Sequence, residues 1–99
     1  MNVEIKGRHV HVSEAIESYA REKAEHLAKF LKEDARVEVI LDHQREHFVA
    51  EMIVHAHGGP VLVASVHHQQ ALAAVDLVAE KIDHQLRKSK SRAKDHRPD

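Results

Sequence analysis

Four basic residues near the C-terminal end of the chain are spaced to lie on one side of a helix. They are Lys81, His84, Lys88 and Arg92, at intervals of 3, 4 and 4 residues, which is the spacing of neighbours on a helix surface. At 1.5 Å per residue such a row is about 16 Å long. A row of positive charge of this length can contact several phosphates of a polyanion. Three further basic residues flank it, namely Arg87, Lys90 and Lys94.

The formal charge is unevenly distributed along the chain. The 99 residues have a net charge of -1, but residues 1–86 sum to -5 and residues 87–99 sum to +4. A basic end on an acidic body is common in proteins that bind nucleic acids. The alternative is that basic residues in the last turns of a helix complement its dipole and keep its end soluble. The charges alone leave both interpretations open.

A second group of basic residues follows Ser13, within residues 14–32. Lys23, His26 and Lys29 are candidates for phosphate contacts, and Tyr19 and Phe30 lie close to them in the sequence. Aromatic and cationic residues that alternate in this way can bind RNA by stacking and by phosphate contacts. Aromatic residues beside an apolar stripe are more often part of the core, with lysine extending past them. We therefore favour a core position for Tyr19 and Phe30.

Hydrophobic periodicity indicates the elements that must position these residues. Apolar residues alternate at 2–8, 36–42, 47–57 and 61–68, which predicts four strands. A helical period occurs at 14–32 and again from Ala71 onward. The order is β-α-β-β-β-α. It predicts an α+β fold in which two helices pack on one face of a four-stranded mixed sheet, with the first two strands parallel.

Local signals support these boundaries. Ser13 is the expected N-cap of the first helix, because its hydroxyl can accept from an N–H group of the first turn. The residues between the second and third strands, 43–46, are polar and predict a hairpin loop, and Gly58-Gly59-Pro60 predicts a turn. The buried stripe of the second helix is predicted to be Val75, Val78, Ile82, Leu86 and Ala93.

The chain length suits one hydrophobic core. We predict a single domain over residues 1–94 and a short flexible C-terminal tail over 95–99. The sequence has no cysteine, so disulfides and thiolate metal sites are excluded. It has neither a run of about 20 apolar residues nor a signal peptide. These features predict a cytoplasmic protein with no membrane association.

The eleven histidines raise a metal-binding alternative. His9 and His11, like His55 and His57, are two residues apart, so on a strand each pair shares one face. Together with His67 and His68 they could form a His-rich metal site, although no HExxH spacing is present. No nucleophile elbow or glycine-rich phosphate loop occurs. We predict no enzymatic activity, no cofactor, no metal site and no small-molecule substrate.

Four segments in order resemble one protein family over essentially the whole chain. They are NVEIKGRHVHVSEAI, KFL, HAHGGPVLVAS and AAVDLVAEKIDHQLRKSK. They resemble the ribosome hibernation-promoting factor and ribosome-associated inhibitor family of bacteria, in its short form. The resemblance implies a non-enzymatic translation regulator that binds the small ribosomal subunit. It implies contacts with 16S rRNA in the channel of mRNA and of the A-site and P-site tRNAs, which silence translation in stress or stationary phase.

The resemblance also implies a distinction between two types of inactive ribosome. Short hibernation factors favour paired ribosomes, whereas the associated inhibitor holds single ones. We expect a monomeric protein that promotes pairing, although the sequence does not distinguish the two outcomes. A generic module for double-stranded RNA is the main alternative function.

Basic positions of the family are matched here by Lys23, Lys29, Lys81 and Lys88. Histidine stands at positions 26 and 84, where the family usually has Lys or Arg, and Glu17 stands where a basic residue is common. The segment QAL at 70–72 replaces the usual DMY. If both histidines face phosphates, protonation should tighten binding as the pH falls toward about 6.

Overall fold

A computed structural model describes the backbone of residues 1–56 and 58–95, and the side chains in those ranges up to residue 88. The strands are β1 (Asn2–Arg8), β2 (Arg36–Gln44), β3 (His47–His55) and β4 (Val61–His68). The helices are α1 (Glu14–Glu25) and α2 (Ala71–Asp95), and a 3₁₀ segment, His26–Phe30, follows α1.

The four strands form one mixed sheet in the order β1-β2-β3-β4. β1 is parallel to β2, while the β2–β3 and β3–β4 pairs are antiparallel. α2 packs on β3 and β4, and α1 packs on β1 and on α2. The predicted α+β architecture is confirmed, including the parallel first pair of strands.

The core lies between the sheet and the two helices. From the sheet it receives alternate residues of the central strands, among them Val39, Leu41 and Met52. From α2 it receives Val75, Val78, Ile82 and Leu86, four of the five residues predicted for its buried stripe. The side chain of the fifth, Ala93, lies outside the described residues. Tyr19 and Phe30 are half-buried and pack against this core, so the core interpretation of both aromatics is confirmed.

The first helix is shorter than its periodicity predicts. The α-helical part ends at Glu25, and the chain continues as the 3₁₀ segment. Residues three apart are eclipsed in a 3₁₀ helix. Leu27 and Phe30 therefore both turn toward the core, and the predicted single helix over 14–32 is wrong in this last part. The same geometry brings His26 and Lys29 to a common outer side.

Two other boundaries differ from their predictions. β2 extends to Gln44 and β3 begins at His47, so the hairpin connection has two residues rather than four. Arg45 in this turn has a positive φ of 54°, which a tight hairpin connection requires. β3 ends at His55, and His57 lies outside the described residues.

The connection between β1 and α1 is held by two polar contacts. Ser13 Oγ accepts a hydrogen bond from the Ile16 N–H at 3.2 Å, which confirms Ser13 as the N-cap. Asp42 is 7% exposed, and its carboxylate contacts His9 Nδ1 at 3.0 Å and accepts from Gln44 Nε2 at 3.1 Å. The His9 contact, then the Gln44 amide, lower the pKa of Asp42. The connection is therefore tied to the second strand as well as to α1.

The predicted tail overlaps the end of α2. The backbone of α2 is helical to Asp95, whereas residues 96–99 lie outside the described residues. The division into a domain over 1–94 and a tail over 95–99 stays a prediction.

Candidate nucleic-acid interface

Helix α2 has three surfaces along its length. Its buried stripe faces the sheet. An acidic row, Asp76, Glu80 and Asp83, lines a groove beside α1. A basic ridge, which we define as Lys81, His84 and Lys88, lies on a different side of the helix, and Lys81 and His84 line a second groove beside β4. The two rows therefore lie on different sides of the helix, although Glu80 lines both grooves.

The basic ridge carries charge that the described part of the molecule leaves uncompensated. Lys81 Nζ donates to the Ser65 carbonyl at 3.2 Å, a contact that positions the ammonium group without neutralising it. His84 and Lys88 are exposed. Among the described residues, neither of them forms an ion pair, and neither does Lys81. The ridge is therefore available to an anionic partner.

The groove between α1 and α2 carries both signs of charge. Its volume is about 420 Å³, and its α1 side is lined by Lys23, His26 and Lys29. The acidic row of α2 lines the opposite side. A polyanion that enters this groove meets the basic residues of α1 together with three carboxylates. The first helix is consequently the weaker half of a basic surface.

One cluster connects the two helices across this groove. Lys23 Nζ and the Tyr19 hydroxyl both lie 3.0 Å from Asp76 Oδ1, and Lys23 Nζ lies 5.3 Å from the centroid of the Tyr19 ring. The bonds from Lys23, then from Tyr19, lower the pKa of Asp76. Hydrogen bonding to Asp76 raises the pKa of Lys23 and also that of Tyr19. Lys23 is therefore charged but already paired.

Arg87 and Lys29 lie beside Phe30 at the end of this groove. Arg87 Nε donates to Asp83 Oδ1 at 3.1 Å, and Arg87 Cζ lies 5.9 Å from the centroid of the Phe30 ring. Lys29 Nζ lies 5.2 Å from the same centroid. Arg87 is thus compensated by its own helix, and it extends the α1 side of the surface rather than the basic ridge.

The predicted interface residues therefore fall on two surfaces divided by the acidic row. The basic ridge is one, and Lys23, His26, Lys29 and Arg87 form the other. Lys90, Arg92 and Lys94 have their backbone in α2, but their side chains lie outside the described residues. The sequence did not reveal that Asp76 pairs with Lys23. The sequence indicates only that Asp76, Glu80 and Asp83 share one side of the helix, and it does not indicate which cation they face.

The described histidines do not converge on a metal site. His9 contacts Asp42, and His55 Nε2 contacts Glu38 Oε2 at 3.0 Å. His67 Nδ1 lies 3.1 Å from Nε2 of His47, a residue that the sequence had not grouped with it. Within residues 1–56 and 58–88, no group of three or more His, Asp or Glu side chains could hold a metal ion.

Neither helix has the character of a membrane span. In the part of the chain that the structure describes, no helix combines the length and the apolar composition needed to cross a bilayer.

Comparison with known proteins identifies the family of this chain. Residues 3–94 match the family model described as Sigma 54 modulation protein / S30EA ribosomal protein. The chain belongs to this family. Its members are ribosome-associated regulators rather than enzymes, so the predictions of the family and of a non-enzymatic protein are confirmed.

Curated relatives cover nearly the whole chain. A ribosome hibernation promoting factor of Pseudomonas putida is 33% identical over 92 residues, which are 93% of this chain and 89% of the relative. One from Azotobacter vinelandii is 34% identical, with 93% and 85% covered. One from Escherichia coli is 28% identical over 96 residues, with 97% and 100% covered. The chain is thus similar in extent to whole hibernation factors.

Solved structures share the fold. The N-terminal domain of Protein Y from Thermus thermophilus superimposes with a TM-score of 0.80 at 22% identity, covering 89% of this chain and 98% of that domain. A ribosomal subunit interface protein from Coxiella burnetii gives a TM-score of 0.79 at 19% identity, with 92% and 99% covered. At these identities the likeness supports the four-stranded sheet with its two helices.

The pairing of Lys23 makes a testable prediction about RNA affinity. Asp76→Asn should tighten binding to ribosomes about threefold to fivefold, because it removes one negative charge beside Lys23 and leaves the Lys23 ammonium group uncompensated. The measurement is a filter-binding titration at fixed salt. Glu46→Gln is the matched control, since it removes an exposed carboxylate from the β2–β3 turn. Equal affinities of the two variants would show that Asp76 does not limit the contribution of Lys23.

Proposed function

We propose that this protein inactivates bacterial ribosomes by binding the small subunit. It contacts 16S rRNA in the channel of mRNA and of the A-site and P-site tRNAs, in stress or stationary phase, and it promotes paired ribosomes. The observation that carries the proposal is the uncompensated basic ridge, Lys81, His84 and Lys88. It lies on a chain whose relatives are named ribosome hibernation promoting factors.

The chemistry of the ridge suits the phosphate groups of a nucleic-acid backbone. Two lysines and a histidine at helical spacing supply several donors and positive charge along one line. Phosphate contacts of this kind supply affinity without reading sequence, so the shape of the rRNA must supply the specificity. The proposal therefore needs no cofactor and no bound small molecule, and it places a monomeric protein in the cytoplasm.

The two basic surfaces have unequal roles in this proposal. The basic ridge supplies most of the attraction, because its charges are unpaired. Lys23 and Arg87 are paired with Asp76 and Asp83 at 3.0 and 3.1 Å, so they contribute less until those pairs open. Lys90, Arg92 and Lys94 stay predicted contacts, because their side chains lie outside the described residues.

Salt dependence is the direct test of this electrostatic proposal. The dissociation constant for small subunits should rise about tenfold to a hundredfold between 50 and 200 mM monovalent salt, as expected for roughly two to four neutralised phosphates. The measurement is a titration at four or five salt concentrations. An affinity that changes less than twofold over this range would contradict a phosphate-bound interface.

Comparison of RNAs separates the proposal from a generic double-stranded RNA module. Under the ribosomal proposal, small subunits should compete for binding far better than an unrelated RNA duplex at equal nucleotide concentration. A generic module would bind both equally. Equal competition would favour that second function while leaving the basic ridge as its site.

The two histidines among the predicted contacts give the binding a pH dependence. His84 lies between Lys81 and Lys88, one turn after Glu80, and His26 lines the groove that also holds Lys23 and Asp76. A nearby phosphate favours the cationic form of an imidazole, and imidazole is the side chain whose charge changes within this range of pH. Affinity for small subunits should therefore increase severalfold from pH 8 to pH 6.

A matched variant identifies the source of this pH effect. The double variant His26→Lys, His84→Lys should bind at least as tightly at pH 8 and should lose most of the pH dependence. The same titration in the wild type and the variant makes the comparison. If the wild-type affinity is flat between pH 8 and pH 6, the histidines do not face phosphates.

A further inference from the structure

A second groove runs between α2 and the outer edge of β4. Its volume is about 640 Å³, within the range of about 300–1,000 Å³ that is usual for small-ligand sites. The groove begins beside the basic ridge, since Lys81 and His84 belong to both. Its apolar contribution comes from Val66 and Leu77, and Leu77 is 39% exposed. The exposed side chain of Leu77 therefore lies beside two basic residues.

The edge of β4 supplies backbone polar groups to this groove. β4 is the last strand of the sheet, and within the part of the chain that the structure describes it pairs with β3 alone. The Ser65 carbonyl accepts from Lys81, so it points away from β3. The N–H and C=O of one residue in an antiparallel strand point to the same side, so the Ser65 N–H also points outward. Alternation along the strand gives His67 the same orientation. Donors and acceptors therefore line one side of the groove.

We propose that this groove receives one unpaired RNA base whose flanking phosphates lie on the basic ridge. The inference rests on the proposed function and deepens it, because it assigns a base-binding site next to the phosphate-binding surface. A base is flat and apolar on its faces and polar along its edges. Leu77 and the imidazole of His84 provide surfaces for its faces. The β4 backbone and Gln85 provide partners for its edges.

The lining of the groove carries both signs of charge, with Glu80 beside Lys81 and His84, and the choice between RNA and an extended peptide depends on the basic ridge next to it. A free strand edge can also accept a peptide as an additional strand. In this molecule the Lys81 side chain lies across that edge and occupies the Ser65 carbonyl, which interrupts the row of acceptors such a peptide needs. The basic ridge beside the groove attracts an anionic chain. RNA is therefore the occupant that the observations support.

The test compares two RNA duplexes that differ by one nucleotide. One is a blunt duplex, and the other has the same sequence with a single unpaired nucleotide. The wild-type protein should bind the bulged duplex about tenfold more tightly, which is the scale of one base stacked in a protein site. Leu77→Ala should remove most of this preference and leave the affinity for the blunt duplex unchanged.

The chain offers a closely matched control. Leu72→Ala makes the same change in the same helix, at a residue that is 47% exposed and does not line the groove. It should retain the full preference for the bulged duplex. Equal affinity of the wild type for the two duplexes would overturn the base-binding site. An equal effect of both leucine variants would overturn it too.

Failure of this inference is distinguishable from failure of the proposed function. Suppose that the wild type binds both duplexes equally and that a variant with reversed charges on the basic ridge binds neither. The phosphate-binding proposal is then supported, and the base site is wrong. If neither the duplexes nor small subunits bind, both proposals fall. The protein can also be tested against small-subunit proteins freed of rRNA. If it binds them and the Ser65 and His67 amides become protected from hydrogen exchange, the occupant is a peptide and the base site is overturned.

Discussion

The triple variant Lys81→Glu, Lys88→Glu, Arg92→Glu is expected to bind small ribosomal subunits about a hundredfold or more weakly than the wild type. At about 0.15 M salt, removing one cation that neutralises a phosphate weakens binding roughly fivefold. The three new carboxylates add repulsion. Lys81 and Lys88 are exposed, so the fold should be retained. Cosedimentation with small subunits measures the binding, and circular dichroism checks the fold.

A second triple variant separates this local effect from a change in net charge. Arg8→Glu, Lys32→Glu, Arg45→Glu produces the same total charge at exposed positions outside α2. Its affinity should fall by less than about tenfold, because these positions belong to neither of the two basic surfaces and salt screens exposed charges over a Debye length of about 8 Å. Equal decreases in the two variants would mean that net charge, rather than the basic ridge, determines binding.

Gly7→Ala is expected to destabilise the fold more than an alanine substitution at either of the other two glycines. A Cβ at position 7 would lie 2.3 Å from the Val10 carbonyl oxygen and 2.9 Å from Val12 Cγ2. The first of these atoms is backbone and cannot rotate away. The connection from β1 to α1 must therefore shift, at a cost of about 1–3 kcal/mol or more. The expected fall in melting temperature is roughly 4–8 °C per kcal/mol.

The same substitution at a second glycine is the control. A Cβ at Gly59 would meet its nearest atom, Ala56 Cβ, at 3.6 Å, an ordinary contact. Gly59→Ala should therefore leave the melting temperature almost unchanged. If the two variants melt at the same temperature, the close approach of residues 10–12 to Gly7 does not constrain the fold. RNA affinity at a temperature where Gly7→Ala is folded should remain near that of the wild type.

The sequence was sufficient for most of the fold because burial imposes regular periods. Alternation in β2 and β4 and the helical stripe through Val75, Val78 and Ile82 correspond directly to the buried side chains. Ser13 was identified as a cap because its chemistry is local. Local signals were weaker at the end of α1, where the choice between an α-helix and a 3₁₀ helix depends on how Leu27 and Phe30 reach the core.

The candidate site was predictable only in part, because its electrostatics depend on contacts between distant residues. The row Lys81, His84 and Lys88 follows from helical spacing alone. The bond from Tyr19 to Asp76 joins residues 57 positions apart, and it depends on how the two helices pack. The groove beside β4 also depends on the tertiary fold, since it is lined by a strand edge and a helix. Sequence patterns identify the charges but not their partners.

A sucrose-gradient experiment tests the central proposal most directly. Purified protein is mixed with small subunits and, separately, with complete ribosomes, and each gradient is compared with one lacking the protein. We expect the protein to sediment with small subunits, and we expect paired ribosomes to accumulate at the expense of single ones. The Lys81→Glu, Lys88→Glu, Arg92→Glu variant should remain at the top of the gradient. Wild-type protein that also remains at the top at low salt would contradict the proposed function.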